Sequence, residues 1–529
     1  MNTATDPSII ASALARAGFG ARPGEVTGIA ASGGFPAWVE RQLHPADDPD
    51  SDLDARLAAV RLRIRYGAAK DGAWGAMDEM RPLALLERPM EALWPLADGK
   101  SKMDGAERRR PRDEVIAATL VRAVHSRWQL REVLAGFWHD HFNVDFFQSD
   151  TLAATLPAYD HAVIRPHVLG NFRQMLETVA TSTAMLLYLS NRSSRAGAAN
   201  ENYGRELFEL HTLGRDAYLN DRYDRWRDVP GAGEGRPQGY IDQDVYEAAR
   251  AFTGWTIEDG AGVDGKRKLP ETGRFTYVEA WHDGYQKRVL GTEFSPFAAP
   301  MADGRQVLDL VAGHPATARH LAGKLVQRLV GRHPEKLVEA AAAEWRKSAA
   351  APDQIARVAR LILLSPDFLA TKGERLRRPL ALAAAFARAT GLDLVPTEGL
   401  VGAIAGCGQR LFGWPTPTGQ PDEESQFLGT QAMRGRWALL LGLAENWWGT
   451  GAVPSPVALR TTPPTPRTAV TAWLEPLGLA ERPDIGAAVL TGLGWPPDQV
   501  LGPPAAPDTE RRLARIAALC AMAPAFQSV

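Results

Sequence analysis

Apolar residues recur at spacings of three and four along most of the chain, which places them on one face of an α-helix. The pattern predicts helices over 112–138, 171–189, 304–331, 336–349, 353–364, 378–391, 433–448 and 508–523. The sequence therefore predicts a mainly α, multi-helix bundle-like globular fold.

The clearest strand pattern is FTYVEAWHDGYQKRVLG at 275–291, where β-branched and aromatic residues lie on both sides of Asp283-Gly284. Asp-Gly is a preferred pair in hairpin turns, so a small β-hairpin is predicted near 275–291. Segments 215–240 and 256–274 are rich in Gly, Asp, Arg and Pro and lack periodicity, which predicts loops.

The chain has 529 residues, which exceeds the size at which a single hydrophobic core stops growing. Clusters of Pro and Gly at 413–424 and 451–466 indicate boundaries in the C-terminal half. We predict four parts: an N-terminal helical region (1–110), a central helical region with the polar motifs and the hairpin (111–300), a further helical region (301–450) and a C-terminal helical cap (451–529).

Two segments resemble each other, RVARLILLSPDF at 357–368 and RIAALCAMAPAF at 515–526. Each predicts a helix that ends before a proline and packs a phenylalanine behind it.

Charge and cysteine content narrow the function classes. Sixty Lys and Arg oppose 62 Asp and Glu, so no overall field would attract nucleic acid. Two cysteines, Cys407 and Cys520, are too few for a disulfide framework or a Cys-rich zinc cluster, and they favour a reducing compartment. Neither a leader pattern nor eighteen continuous apolar residues occur. We expect a cytoplasmic chain without membrane or nucleic-acid partners, with export open if a leader was trimmed.

The densest polar and aromatic cluster is FWHDHFNVD at 137–145. If the segment is extended, His139, His141 and Asn143 project from one face, as two imidazole ligands of a metal would. If a helix continues through it, residues two apart point roughly 200° from each other. The three aromatic residues of this segment also fit an alternative interpretation, in which both histidines are core or cap residues.

The pattern of a second motif, NENYGRELFELHTLG at 200–214, predicts a helix that ends at Gly214. Glu206 and Glu209 would lie one turn apart, where they could hold a cation or where one could have its pKa raised by the other. Arg205 could equally neutralise them, and His211 suits a helix C-terminus.

A third pattern combines DVYEAARAFTGW at 244–255 with Trp281-His282-Asp283. By itself this pattern is weak evidence for a functional site, because its charged residues could simply pair on a helix or start a turn. Phosphate-loop, GxSxG and HExxH signatures are missing, which disfavours common nucleotide, serine-hydrolase and zincin functions.

Together these segments resemble a large bacterial family known as domain of unknown function 1800. The match includes RAGFGARPGE at 16–25, FWHDHFNV at 137–144, NENYGRELFELHTLG at 200–214, WHDGYQKRVLG at 281–291 and GQRLFGWPTPTGQPD at 408–422. The resemblance implies a helical fold without an assigned activity. Many relatives carry an export signal and are encoded beside a sulfatase-like family, which implies a possible partner protein encoded nearby.

The leading hypothesis is a metal-dependent enzyme, an oxidoreductase or hydrolase acting on an unknown substrate. Mixed imidazole and carboxylate ligands suit Fe, Mn or Zn, and the predicted ligands are His139, His141, Glu206, Glu209 and His211. Asp140, Arg205 and His282 are the predicted catalytic or proton-transfer groups. One alternative is a haem peroxidase-like protein, prompted by the HDH string. Another is a non-catalytic binding or scaffold protein whose polar motifs cross-link helices.

Overall fold

The computed structural model describes residues 5–45, 49–222, 225–371, 373–422 and 427–529. Helices dominate these residues, and the strands among them form three short antiparallel pairs. The predicted mainly α fold with small hairpins is therefore confirmed. Within the same residues, no helix has both the length and the apolar composition needed to cross a membrane.

The helices up to residue 251 are α1 Pro7–Ala17, α2 Glu25–Ala31, α3 Gly34–Gln42, α4 Ser51–Ala59, α5 Met90–Ala97, α6 Gly105–His125, α7 Gln129–His141, α8 Asp150–Ala158, α9 Phe172–Ala180, α10 Thr183–Tyr188, α11 Glu201–Glu206 and α12 Asp242–Ala251. Those that follow are α13 Ala302–Gly313, α14 Pro315–Val330, α15 Glu335–Lys347, α16 Gln354–Leu363, α17 Pro366–Ala370, α18 Pro379–Thr390, α19 Glu398–Gly406, α20 Thr430–Ala444, α21 Pro466–Leu474, α22 Pro483–Leu493, α23 Pro507–Ala521 and α24 Pro524–Gln527.

Some of the predicted helices are divided. The segment 304–331 forms two helices that meet at His314, because the residue before Pro315 is pushed into an extended conformation. The segment 171–189 breaks at Ser182, whose hydroxyl accepts the amide of Met185 as an N-cap.

The strands pair as β1 Arg61–Tyr66 with β2 Met77–Pro82, β3 Trp255–Asp259 with β4 Glu271–Tyr277, and β5 Lys287–Val289 with β6 Thr292–Phe294. A small hairpin, β5–β6, thus lies near the predicted one. The predicted pairing across Asp283-Gly284 is wrong, since Phe275 of β4 faces Ile257 and Lys287 of β5 faces Phe294. The reason is tertiary: β3 carries buried Trp255 and Ile257 against β4, so much of the predicted 256–274 loop is a hairpin.

The buried apolar residues form two main clusters. The first runs from Ile10 to Phe368, and the second runs from Leu380 to Phe526 and also takes in Phe19 and the end of α6. The change from one to the other thus falls between Phe368 and Leu380. The four-part division of the chain stays a prediction.

The two similar segments adopt the predicted arrangement. In each, a long helix is followed by a short helix that begins at a proline, α16–α17 in the first cluster and α23–α24 in the second. Phe368 and Phe526, at equivalent places, are both buried.

Candidate functional site

A cavity of about 120 Å³ lies where the two apolar clusters meet. Helix α7 forms one wall, with Glu132, Gly136 and His139 spaced so that they share a helix face. Its opposite face carries Phe137 and Trp138, which are buried in the first cluster. The amphipathic character of α7 therefore decides which part of the FWHDHF string faces the cavity.

The cavity wall is rich in guanidinium groups. They belong to Arg16 of α1, Arg165 in the turn after α8, Arg328 of α14, the segment before α18 (Arg375, Arg377 and Arg378) and Arg410. The carboxylates on the same wall are Glu132, Asp140 and Asp160.

His139 and Asp160 form a hydrogen-bonded pair at this wall. His139 Nε2 lies 2.9 Å from Asp160 Oδ1, and Arg165 Nε lies 2.7 Å from the other carboxylate oxygen. Burial alone would raise the pKa of Asp160, but Arg165, His139 and Arg122 together hold that pKa far below its ordinary value. Asp160 is therefore an ionised acceptor, so Nε2 of His139 donates. Nδ1 of a neutral His139 then carries the lone pair.

Further contacts hold His139 and Asp160 in place. Arg165 also donates to both oxygens of Glu132, at 3.1 and 3.0 Å. Burial opposes the charge of Arg165, but Asp160 and Glu132 raise its pKa above the ordinary value. In the part of the chain that the structure describes, Nδ1 of His139 forms no hydrogen bond. That nitrogen is available to a molecule in the cavity.

Asp160 and His211 both lie on π-helical turns, Tyr159–Ile164 and Leu207–His211. Such turns insert an extra residue into a helix and are frequent at functional sites.

Asp140, a predicted catalytic residue, lines the cavity but bridges two arginines. Its Oδ2 lies 2.6 Å from Nη2 of Arg328 and 2.6 Å from Nη1 of Arg378. Asp422 is 2.7 Å from Arg328 and 3.6 Å from Arg378. Burial opposes ionisation of Asp422, but Arg328 and Arg378 keep its pKa below the ordinary value. The four side chains form a neutral quartet.

The segment 409–422 closes over the end of α7. Asn143 Nδ2 donates to the carbonyls of Trp414 and Thr416 at 2.9 and 2.8 Å. Gly419 has φ +72°, and a Cβ there would lie 1.7 Å from the carbonyl oxygen of Asp140, so only glycine fits. The Pro- and Gly-rich stretch read as a boundary is thus partly a cover over the cavity.

His141 lies on the other side of α7, with His211, His320 and Lys324. Its Nε2 is 3.1 Å from the carbonyl oxygen of His211, and Lys324 Nζ donates to its Nδ1 at 3.0 Å. Both ring nitrogens are thus engaged with protein atoms. Burial, then the charge of Lys324, lowers the pKa of His141 well below its ordinary value and that of His211 to about 3.

Glu206 and Glu209 lie close to each other, as the helical spacing predicts, but apart from the cavity. Arg215 Nε lies 2.5 Å from Glu209. Burial, then the charge of Glu209, raises the pKa of Glu206. Arg205 instead pairs with Glu201 and with Asp242, the latter at 3.1 Å.

His282 belongs to a separate network. Its Nδ1 is 2.9 Å from the carbonyl of Thr253, and its Nε2 is 3.3 Å from Asp303, which also accepts from buried Lys287 at 2.6 Å. The contacts of His282 fix the segment before β5 to α13.

The predicted convergence of His139, His141, Glu206, Glu209 and His211 on one point is not found. The helix continues through His141, so the two histidines of the HDH string face opposite sides. Among the described residues, no group of three His, Cys, Asp or Glu side chains is arranged to hold a metal ion. The metal, with Fe, Mn or Zn as its identity, stays a prediction without a converged ligand set.

Sequence reasoning missed the partners that define the cavity, namely Asp160, Arg165, Arg16, Arg377 and Arg378. One signal was available, because Arg16 interrupts the apolar pattern of ALARAGF and is 1% exposed. A charged residue at a core position of a helix needs a partner or a ligand. The other four lie in loops or on an irregular turn, where periodicity gives no direction.

The chain has no significant match among curated proteins or among solved structures. One family model, described as a protein of unknown function (DUF1800), matches residues 12–528. Because that match spans nearly the whole chain, the protein belongs to the DUF1800 family.

Proposed function

We propose that this protein is a hydrolase in which His139, oriented by Asp160, acts as general base on a small substrate in the cavity. The observation that carries the proposal is the 2.9 Å contact between His139 Nε2 and Asp160, which leaves Nδ1 for a cavity ligand. A buried carboxylate that fixes the tautomer of a histidine is a recurring arrangement in acid–base catalysis.

The chemistry follows from the hydrogen bond between His139 Nε2 and Asp160. Nδ1 takes a proton from a water molecule while the water oxygen forms a bond to the ester carbon or phosphorus. The bond to the leaving oxygen breaks, and the proton on Nδ1 passes to that oxygen. The negative charge of Asp160 stabilises the imidazolium that forms in between. Arg165 and Glu132 hold Asp160 in place.

The geometry supports His139 over His141 for this role. The ring of His139 contacts Phe412 and Tyr159, at centroid distances of 4.8 and 5.8 Å, which restrict its rotation at the cavity wall. His141 has no nitrogen available, since one donates to a carbonyl and the other accepts from Lys324.

The direct test is hydrolysis of p-nitrophenyl acetate and p-nitrophenyl phosphate by wild type and His139→Asn. We expect kcat/KM of the variant to fall by about 10²–10⁴-fold, the usual contribution of a general base. His161→Asn is the matched control, because His161 lies next to Asp160 on the same turn but is exposed. Its kcat/KM should equal that of wild type. Variant activity within threefold of wild type would contradict the proposal.

A second measurement needs no substrate. Diethyl pyrocarbonate acylates an unprotonated imidazole nitrogen, and peptide mass spectrometry assigns the site. We expect His139 to react faster than His141. Equal rates, or a wild-type protein that hydrolyses neither ester, would count against a reactive base in the cavity.

The haem and scaffold alternatives stay predictions, as does the metal centre.

A further inference from the structure

Two buried cavity arginines form no ion pair. Arg16 is 1% exposed, and among the described residues its Nε and Nη1 have no hydrogen-bond partner; the same holds for Nη1 of Arg377, which is 8% exposed. Neither guanidinium forms an ion pair with a residue in the described ranges. Burial, then the charge of Arg375, lowers the pKa of Arg16 to about 10 and that of Arg377 to about 9. Both stay protonated at neutral pH.

Both guanidinium groups lie over phenylalanine rings. Arg16 is 4.1 Å from the ring centre of Phe368, and Arg377 is 5.1 Å from that of Phe526. These are the equivalent phenylalanines of the two similar segments, one in each apolar cluster. Stacking occupies the flat face of a guanidinium and leaves its N–H groups in the plane for other partners.

Arg378, a member of the neutral quartet with Asp140, Arg328 and Asp422, adds further N–H donors to the cavity wall. Its Nη1 binds Asp140, whereas its Nε and Nη2 are buried without a partner. Arg16, Arg377 and Arg378 come from two separate segments and all line the cavity. Five N–H-bearing nitrogens on three side chains at one cavity wall therefore have no hydrogen-bond partner in the part of the chain that the structure describes.

Arg388, a buried arginine outside the cavity, is satisfied by the protein, and of buried Arg436 only Nη2 lacks a hydrogen-bond partner among the described residues. Arg388 is 2% exposed, and its three nitrogens donate to the carbonyl of Gly20, the carbonyl of Val124 and the carboxylate of Glu25 at 2.6–2.8 Å. It does not line the cavity. Since buried donors without partners are costly, the contrast indicates that Arg16, Arg377 and Arg378 are arranged for a ligand.

We infer that the cavity binds a phosphate dianion, the anchoring group of a phosphorylated small substrate; this rests on the proposed hydrolase function. A dianion balances the positive charges of Arg16 and Arg377, neither of which forms an ion pair with a described residue. Its oxygens point in several directions and can accept from guanidinium groups on different segments, whereas a carboxylate offers two oxygens in one plane. The volume of about 120 Å³ equals roughly four water molecules, which suits a phosphate group.

Isothermal titration calorimetry with inorganic phosphate tests the inference on the full chain. We expect saturable binding by wild type, weakened at least about tenfold in Arg16→Gln and in Arg377→Gln, because charge-assisted hydrogen bonds are lost. Acetate, a monoanion of similar size, should bind more weakly than phosphate. His139→Asn should bind phosphate within threefold of wild type, so loss of catalysis and loss of the anion site give different results.

Melting temperature separates a ligand site from a structural role. Without phosphate, Arg16→Gln should melt no lower than wild type, since it removes an uncompensated buried charge. Arg388→Gln, the matched control, should melt lower yet bind phosphate with unchanged affinity. Phosphate should raise the melting temperature of wild type and of Arg388→Gln, but not of Arg16→Gln.

Three results would overturn the inference. Tighter binding of acetate than of phosphate would reject the phosphate assignment. Saturable binding of neither anion would reject the anion site. Phosphate affinity unchanged in both Arg16→Gln and Arg377→Gln would place the anion elsewhere. Hydrolysis of p-nitrophenyl acetate that depends on His139 would still support the proposed function in each of these cases.

Discussion

The two sides of α7 carry histidines only two residues apart, yet their surroundings differ. On the cavity side, His139 has one nitrogen bound to Asp160 and one without a partner, among arginines with unsatisfied N–H groups. On the other side, both nitrogens of His141 are bound, to the carbonyl of His211 and to Lys324. Both histidines are buried, at 8% and 1% exposure.

The difference shows that burial of a polar cluster does not by itself indicate a site. The contacts of His141 satisfy both of its ring nitrogens, although among the described residues Nε2 of neighbouring His211 has no partner. The cavity side instead keeps several donors and one acceptor that a ligand can satisfy. Four measurements, from the largest expected effect to the smallest, test this contrast.

Asp160→Asn would break the network on the cavity side. It removes the charge that faces Arg165, Arg122 and His139, and loss of one partner from a buried ion pair costs about 3–5 kcal/mol. Urea unfolding should show this decrease in the free energy of unfolding. Asp353→Asn, an exposed partner of Arg357, should cost less than about 1 kcal/mol. Equal losses in the two variants would contradict a buried role for Asp160.

His141→Asn would instead remove the contacts of His141 with Lys324 and with the carbonyl of His211. We expect the free energy of unfolding to fall by about 1–3 kcal/mol, because Lys324 and the His211 carbonyl lose their partner. Ester hydrolysis by the folded protein should stay within threefold of wild type. Loss of hydrolysis without loss of stability would exchange the roles assigned to the two histidines.

The buried histidines on the His141 side of α7 should make stability depend on pH. Burial, then Lys324 and His320, lowers the pKa of His211 to about 3 from an ordinary 6.5. Above pH 6.5 the side chain of His211 is neutral in both the folded and the unfolded chain. As pH falls, the unfolded chain takes up the proton first, so the unfolding free energy decreases by up to about 1.4 kcal/mol per pH unit.

Urea unfolding of wild type and His211→Gln between pH 7 and pH 4 measures this slope. The wild-type slope should be steeper below about pH 6, by up to about 1.4 kcal/mol per unit. Parallel pH profiles would show that His211 titrates normally in the folded protein.

Metal removal should have the smallest effect. His141 has no ring nitrogen available for an ion, and Glu209 pairs with Arg215, so dialysis against EDTA should change ester hydrolysis by less than about twofold. Elemental analysis of protein purified without a His-tag accompanies the assay. Activity that is lost with EDTA and restored by Fe, Mn or Zn would reinstate the predicted metal centre.

Sequence periodicity located most helices, because each buries one face and the spacing of apolar residues records that face. It placed α15, α16, α18 and α23 to within a few residues. It also indicated two polar motifs that do meet, since the rings of His141 and His211 lie 6.1 Å apart. It could not assign the strand pairing of β3 with β4, which depends on the packing of Trp255 and Ile257.

The sequence by itself determined the helical class, the family and the polar segments at 137–145 and 200–214, because these are local patterns of residue type. Only the tertiary structure decided which side chains share a site. Arg16 and Arg377 are 361 positions apart in the chain, and Asp160 reaches His139 through a π-helical turn. Contacts between distant segments depend on how helices pack, and a pattern read along one helix carries no information about the segment that faces it.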